Sequence, residues 1–159
     1  MAADPSKLLG RGITGSVQVG YLTNDTKAAI SQFENRFGIG PWVTREATVE
    51  LINRQPDAAP GCILLVSFAY MKGRMIELIE PLADAPPIFP ALPPDGLMIV
   101  PHHLGAYMGE VDEVLAAAKS AGFETVSLRI PRGDIVFVDT RALLGHWLEL
   151  LCFENQNPI

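Results

Sequence analysis

The 159-residue sequence predicts an α+β fold built from two βαβββ modules. Two strand-like runs, Val17-Gln18-Val19-Gly20-Tyr21-Leu22 and Val100-Pro101-His102-His103-Leu104-Gly105-Ala106-Tyr107, each carry a metal-capable side chain two residues before a glycine. An amphipathic helical pattern follows each of them. Two later runs, Met75-Ile76-Glu77-Leu78-Ile79 and Trp147-Leu148-Glu149-Leu150-Leu151, each hold one central carboxylate among apolar neighbours. Sliding one half over the other places Gln18 on His103, Gly20 on Gly105, Gly38 on Gly122 and Glu77 on Glu149. Self-similarity of this kind carries more weight than any one of its members.

Residues 1–13 show no clear periodicity and read as a flexible arm. A first strand is expected over about Ser16 to Leu22. Thr23-Asn24-Asp25-Thr26 then offers N-cap oxygens, Ala29, Ile30, Phe33 and Phe37 recur at helical spacing, and Gly38 stops the helix. Strands follow at Trp42 to Ile52 and Gly61 to Tyr70, separated by the turn-rich Asn53-Arg54-Gln55-Pro56-Asp57. Lys72-Gly73 turns the chain into the strand of Glu77, which ends at Pro81. Pro81, Pro86, Pro87, Pro90, Pro93 and Pro94 forbid helix and central strand, so 83–96 is a stiff linker. Its apolar Ile88, Phe89 and Leu92 lay it on the protein as a crossover strap or as the wall of a cleft. The second module repeats the order: a strand from Met98 to Tyr107, then a helix with Val111, Val114, Leu115 and Ala118 on one face, closed by Gly122. Strands at Phe123 to Ile130, Asp134 to Val138 and His146 to Phe153 complete it. The expected organisation is one domain over 14–153, made of modules 14–82 and 97–153, with a tail at 154–159.

The formal charge is −6 and the basic residues are scattered, which argues against nucleic acid or an anionic membrane as partner. Hydrophobic residues make up 48% of the chain, enough for a packed core. Cys62 and Cys152 sit in apolar runs without CxxC spacing and read as core residues. No apolar run is long enough to span a bilayer and the start lacks a secretory pattern, so a cytoplasmic protein is expected.

A carboxylate in the middle of an apolar strand is costly to bury unless something pairs with it. Gln18, Glu77, His103 and Glu149 therefore ask for a common partner, and a divalent cation supplies one. Strand alternation puts Gly20 on the face of Gln18 and Gly105 on that of His103, which leaves room for a substrate. Met75, Ile79, Trp147 and Leu151 flank the acids as apolar walls. Tyr107, Trp147 and Met75 are thus candidate substrate contacts, whereas His102 and His146 face away.

Phe37-Gly38-Ile39-Gly40-Pro41-Trp42, Ile76-Glu77-Leu78-Ile79-Glu80-Pro81-Leu82, His102-His103-Leu104 with Val111-Asp112, and Asp139-Thr140 ahead of Leu144 to Leu150 together resemble the vicinal oxygen chelate superfamily. That superfamily includes glyoxalase I, methylmalonyl-CoA epimerase, extradiol dioxygenases and bleomycin-resistance proteins. The resemblance covers about residues 14 to 153. It implies that the two modules form a cupped mixed sheet, that Gln18, Glu77, His103 and Glu149 are the ligands of one metal, and that the protein pairs as a homodimer. The ligand set suits Zn, Ni, Co, Mn or Fe.

The resemblance further implies a metal-dependent isomerase or lyase that moves a proton next to a carbonyl, with Glu149 or Glu77 as the base. The third-strand run Cys62-Ile63-Leu64-Leu65-Val66-Ser67-Phe68 holds no acid, against a two-base epimerisation. Val19-Gly20-Tyr21-Leu22 holds no arginine, against glutathione as substrate. A largely apolar or acyl-thioester small molecule is the expected substrate. The competing expectation is a binding protein that sequesters a hydrophobic small molecule without chemistry, as the bleomycin-resistance branch does.

Overall fold

A computed structural model describes residues 5–51 and 62–153. The elements in order are α1 (Pro5–Thr14), β1 (Gln18–Thr23), α2 (Thr26–Phe37), β2 (Trp42–Leu51), β3 (Cys62–Met71) and β4 (Arg74–Ala83). After the linker come β5 (Ile99–Tyr107), α3 (Val111–Ser120), β6 (Thr125–Ile130), β7 (Gly133–Val138), α4 (Arg141–Leu144) and β8 (Trp147–Cys152). Both βαβββ modules are present, as expected. The turn expected at residues 53–57 and the tail at 154–159 lie outside the described residues. No helix among the described residues is long and apolar enough to cross a membrane.

The described residues fall into two compact units: 18–50 with 62–102, and 5–17 with 51 and 103–153. In the first, the strand order is β1-β4-β3-β2, with β1 parallel to β4 and the other pairs antiparallel. Helix α2 forms where the sequence places its caps. The Asp25 side chain accepts from the Ala28 N–H at 2.9 Å, and Gly38 ends the helix at φ 64°, a conformation that glycine takes without strain. Its Ala29 and Phe33 pack with Leu78 of β4, and each large side chain so buried is worth about 1.5–3 kcal/mol. Phe37 departs from the expected face. It ends the helix 67% exposed, its ring tilted 48° to that of Phe33 at 5.9 Å between centroids.

The linker is a strap pinned to this unit. Asn24 Nδ2 donates to the carbonyls of Pro93 and Gly96 at 2.6 and 2.8 Å, and Asn24 Oδ1 accepts from Met98 N–H at 2.9 Å. Ile88 and Phe89 are buried, and His102 Nε2 lies 2.8 Å from the Ile88 carbonyl with its ring against Phe89. His102 is thereby a structural residue, as expected.

In the second unit the order is β6-β7-β8-β5, with β5 parallel to β8 and the other pairs antiparallel. The arm expected over residues 1–13 is corrected from Pro5 onward. Residues 5–14 form α1, which packs on α3 and contributes Leu9 to a core with Val114, Ala117, Leu148 and Leu150. Gly12 has a packing use in this helix. A Cβ on Gly12 would lie 2.8 Å from Leu150 Cδ2, so its absence lets the helix approach β8 closely. Helix α4 was not expected either. It is a single turn ended by Gly145 at φ 81°.

Candidate functional site

In the first unit, β1 and β4 run side by side with Gln18 opposite Met75 and Gly20 opposite Glu77. Partners in such a ladder share a face, which aims Gln18 and Glu77 the same way. Gln18 Nε2 donates to Glu77 Oε2 at 2.8 Å, and both side chains are buried. In the second unit, β5 and β8 repeat that register: His103 lies opposite Trp147 and Gly105 opposite Glu149. His103 Nε2 lies 3.3 Å from Glu149 Oε2, and this pair is buried as well. Among the described residues, Glu77 and Glu149 are the only buried carboxylates. Acids that merely faced solvent from edge strands would be exposed, and these two are not.

Taken unit by unit, the donors suit a divalent cation. Glu77 in the first, and His103 and Glu149 in the second, each offer one buried ligand atom. Within each unit the two side chains approach to 2.8 and 3.3 Å, so His103 with Glu149, and Glu77 with a turned Gln18 amide, would hold a cation between them. A half-turn of the Gln18 amide presents its oxygen in place of its nitrogen and makes it a neutral ligand.

Met75 and Trp147, the proposed apolar walls, are buried at matching positions beside Gln18 and His103. Trp147 stands edge-on to Phe137 at 6.3 Å, and the Arg141 guanidinium lies 4.4 Å from its ring centroid. Tyr107 is half-buried and meets Phe153 edge-on at 5.9 Å. His146 bonds the Trp147 carbonyl through Nδ1 at 2.8 Å.

Phe68 and Phe137, which the sequence reading passed over, lie opposite Glu77 and Glu149 on the third strand of each module. The repeat was visible in the sequence, but only the pairing register assigns these two rings to the acids. Burial raises both thiols, that of Cys152 to about 11, which keeps them protonated near neutrality.

The family model described as glyoxalase/bleomycin resistance protein/dioxygenase superfamily matches residues 17–138. A comparison with curated protein sequences finds no match. Among solved structures, methylmalonyl-CoA epimerase from Mycobacterium tuberculosis is 18% identical with a TM-score of 0.59, over 89% of this chain and 89% of its own. A hypothetical protein of Bacillus halodurans gives the same identity and TM-score over 89% of this chain and 95% of its own. A substituted Streptomyces coelicolor methylmalonyl-CoA epimerase, solved with 2-nitronate-propionyl-CoA, is 15% identical with a TM-score of 0.51, over 88% and 97%. At these identities the likeness is one of fold.

Proposed function

Because the chain belongs to the glyoxalase/bleomycin resistance protein/dioxygenase superfamily, we propose that Gln18, Glu77, His103 and Glu149 together hold one divalent cation in an isomerase of the epimerase type. The reaction is proton transfer at the carbon next to a carbonyl of an acyl-thioester or largely apolar substrate. One observation carries this reading: each module buries a carboxylate beside a neutral metal-capable side chain, at the same register of the same two strands. Two buried acids with such neighbours make a poor core and a good ligand set.

When bound, the cation supplies Lewis acidity to the substrate carbonyl and so acidifies the adjacent C–H. Glu149 or Glu77 takes that proton and returns it, and burial removes the water that would otherwise weaken a carboxylate base. Met75 and Trp147 offer apolar surface to the acyl part, and Tyr107 a ring with a hydroxyl. No acid stands on β3, so one carboxylate does the proton work. The lyase branch of the family uses the same proton abstraction. A homodimer belongs to the same proposal by likeness to the family, and light scattering measures it.

Exchange of the substrate α-proton into deuterated water, followed by NMR, tests the reading. Methylmalonyl-CoA, a hemithioacetal and a cyclic ketone form the panel. At least one should exchange with the metal-loaded protein, and Glu149→Gln or Glu77→Gln should abolish the exchange. Full exchange by both variants with metal retained removes the proposed base.

A further inference from the structure

Among the described residues, the sheet face that carries Gln18 and Glu77 in the first unit also carries one cation on β2–β4. Across β2, β3 and β4 the register sets Val43 beside Phe68 and Phe68 beside Glu77. The next row sets Arg45 beside Val66 and Val66 beside Ile79. Arg45 thus shares the face of Glu77, about 12 Å away, two strand spacings across and two residues along. Its guanidinium, though exposed, lies over the Phe68 ring, 5.4 Å from the centroid, above the side chain that separates it from the carboxylate.

The repeat shows that this arginine is a departure. The position of Arg45 corresponds to Leu128 in the second module, which stands beside Ile135 as Arg45 stands beside Val66. Leu128 is buried, whereas Arg45 is exposed, as is Val43, its 53% exposed neighbour on the same face of β2. Among the described residues Arg45 forms no ion pair with a carboxylate. The other side chains that the register puts on this face from β2, β3 and β4 bring no second cation.

We propose that Arg45, stacked on Phe68, is a specificity-determining residue that binds a carboxylate borne by the substrate a few carbons from its reacting carbonyl. A guanidinium matches a carboxylate in a two-pronged geometry, and one positive charge suits a monoanion. The aromatic ring beneath holds the guanidinium flat and receives the connecting carbons. This rests on the metal-centred reading of Glu77 and Gln18 and adds to it the chemistry of the far end of the substrate.

Titration calorimetry with 6-oxoheptanoate and its methyl ester tests the assignment on zinc-loaded and metal-free protein. The wild type should bind the acid about tenfold more tightly than the ester. Arg45→Ala should bring that ratio to about one, and Arg45→Lys should keep part of it with unchanged metal content and melting temperature. An acid preference that survives Arg45→Ala overturns the proposal, as does a wild type that binds the acid no better than the ester. Metal content is read on the same samples. A wild type that holds no ion fails the metal reading, while the acid-to-ester ratio still decides Arg45.

Discussion

Glu77 Oε2 accepts the Gln18 side-chain amide at 2.8 Å across the two adjoining parallel strands β1 and β4, with both groups buried. Removing the carboxylate leaves a buried amide without its acceptor, a cost of about 1–3 kcal/mol. Glu77→Ala should therefore lower the unfolding free energy of the metal-free protein by that amount in urea melts. Glu77→Gln, which retains an acceptor oxygen, should cost less than half as much.

Leu9 ties α1 to the core of its unit, while Ile13 of the same helix stands 42% exposed. Leu9→Ala should cost about 2 kcal/mol, the low end for a buried leucine, and Ile13→Ala under about 0.5 kcal/mol. Equal effects in chemical denaturation would detach α1 from the core.

The Cys152 thiol is pushed up to about 11, first by burial and then by the charges of Asp134 and Glu110. Its native state holds a proton at pH values where the unfolded thiol has lost one. The associated stability is complete below the ordinary thiol range near 9 and is lost as pH climbs towards 11. Iodoacetamide labelling resolved by mass spectrometry should leave Cys152 unmodified at pH 8 in native protein, with labelling rising steeply above pH 10.

Asp139 is held below its ordinary value chiefly by hydrogen bonds from the Arg141 guanidinium, at 2.7 and 2.8 Å. A depressed carboxylate contributes stability above its unfolded value of about 4 and loses it as pH falls through the native value. Arg141 is exposed, so solvent screening limits the contribution to a few tenths of a kcal/mol. Arg141→Ala should flatten the acid side of the melting-temperature profile below pH 4 by that small amount.

The module order was legible because each half repeats a strand, a capped helix and an acid-bearing strand, and because Gly38 and the prolines of the linker punctuate strongly. The ligand candidates were legible for a related reason: a glutamate inside an apolar run stands out against period-two alternation. Helix α1 was not legible, since Gly10, Gly12 and Gly15 signal loop when read locally. Gly12 is there for a contact with Leu148 and Leu150, more than 130 residues away in the chain. The placement of Phe68, Phe137 and Arg45 was hidden because it depends on which residue of a neighbouring strand stands opposite. Phe37 was misplaced because helical spacing continues to the last turn whether or not a core extends that far.

Elemental analysis of protein purified and then dialysed against zinc, nickel, cobalt, manganese and iron(II) in turn tests the central claim most directly. One divalent ion per wild-type chain is expected with at least one of these metals, falling to well under a tenth of that in His103→Ala and Glu149→Ala variants that remain folded. A folded wild type that retains none of the five, or variants that retain a full equivalent, would contradict it.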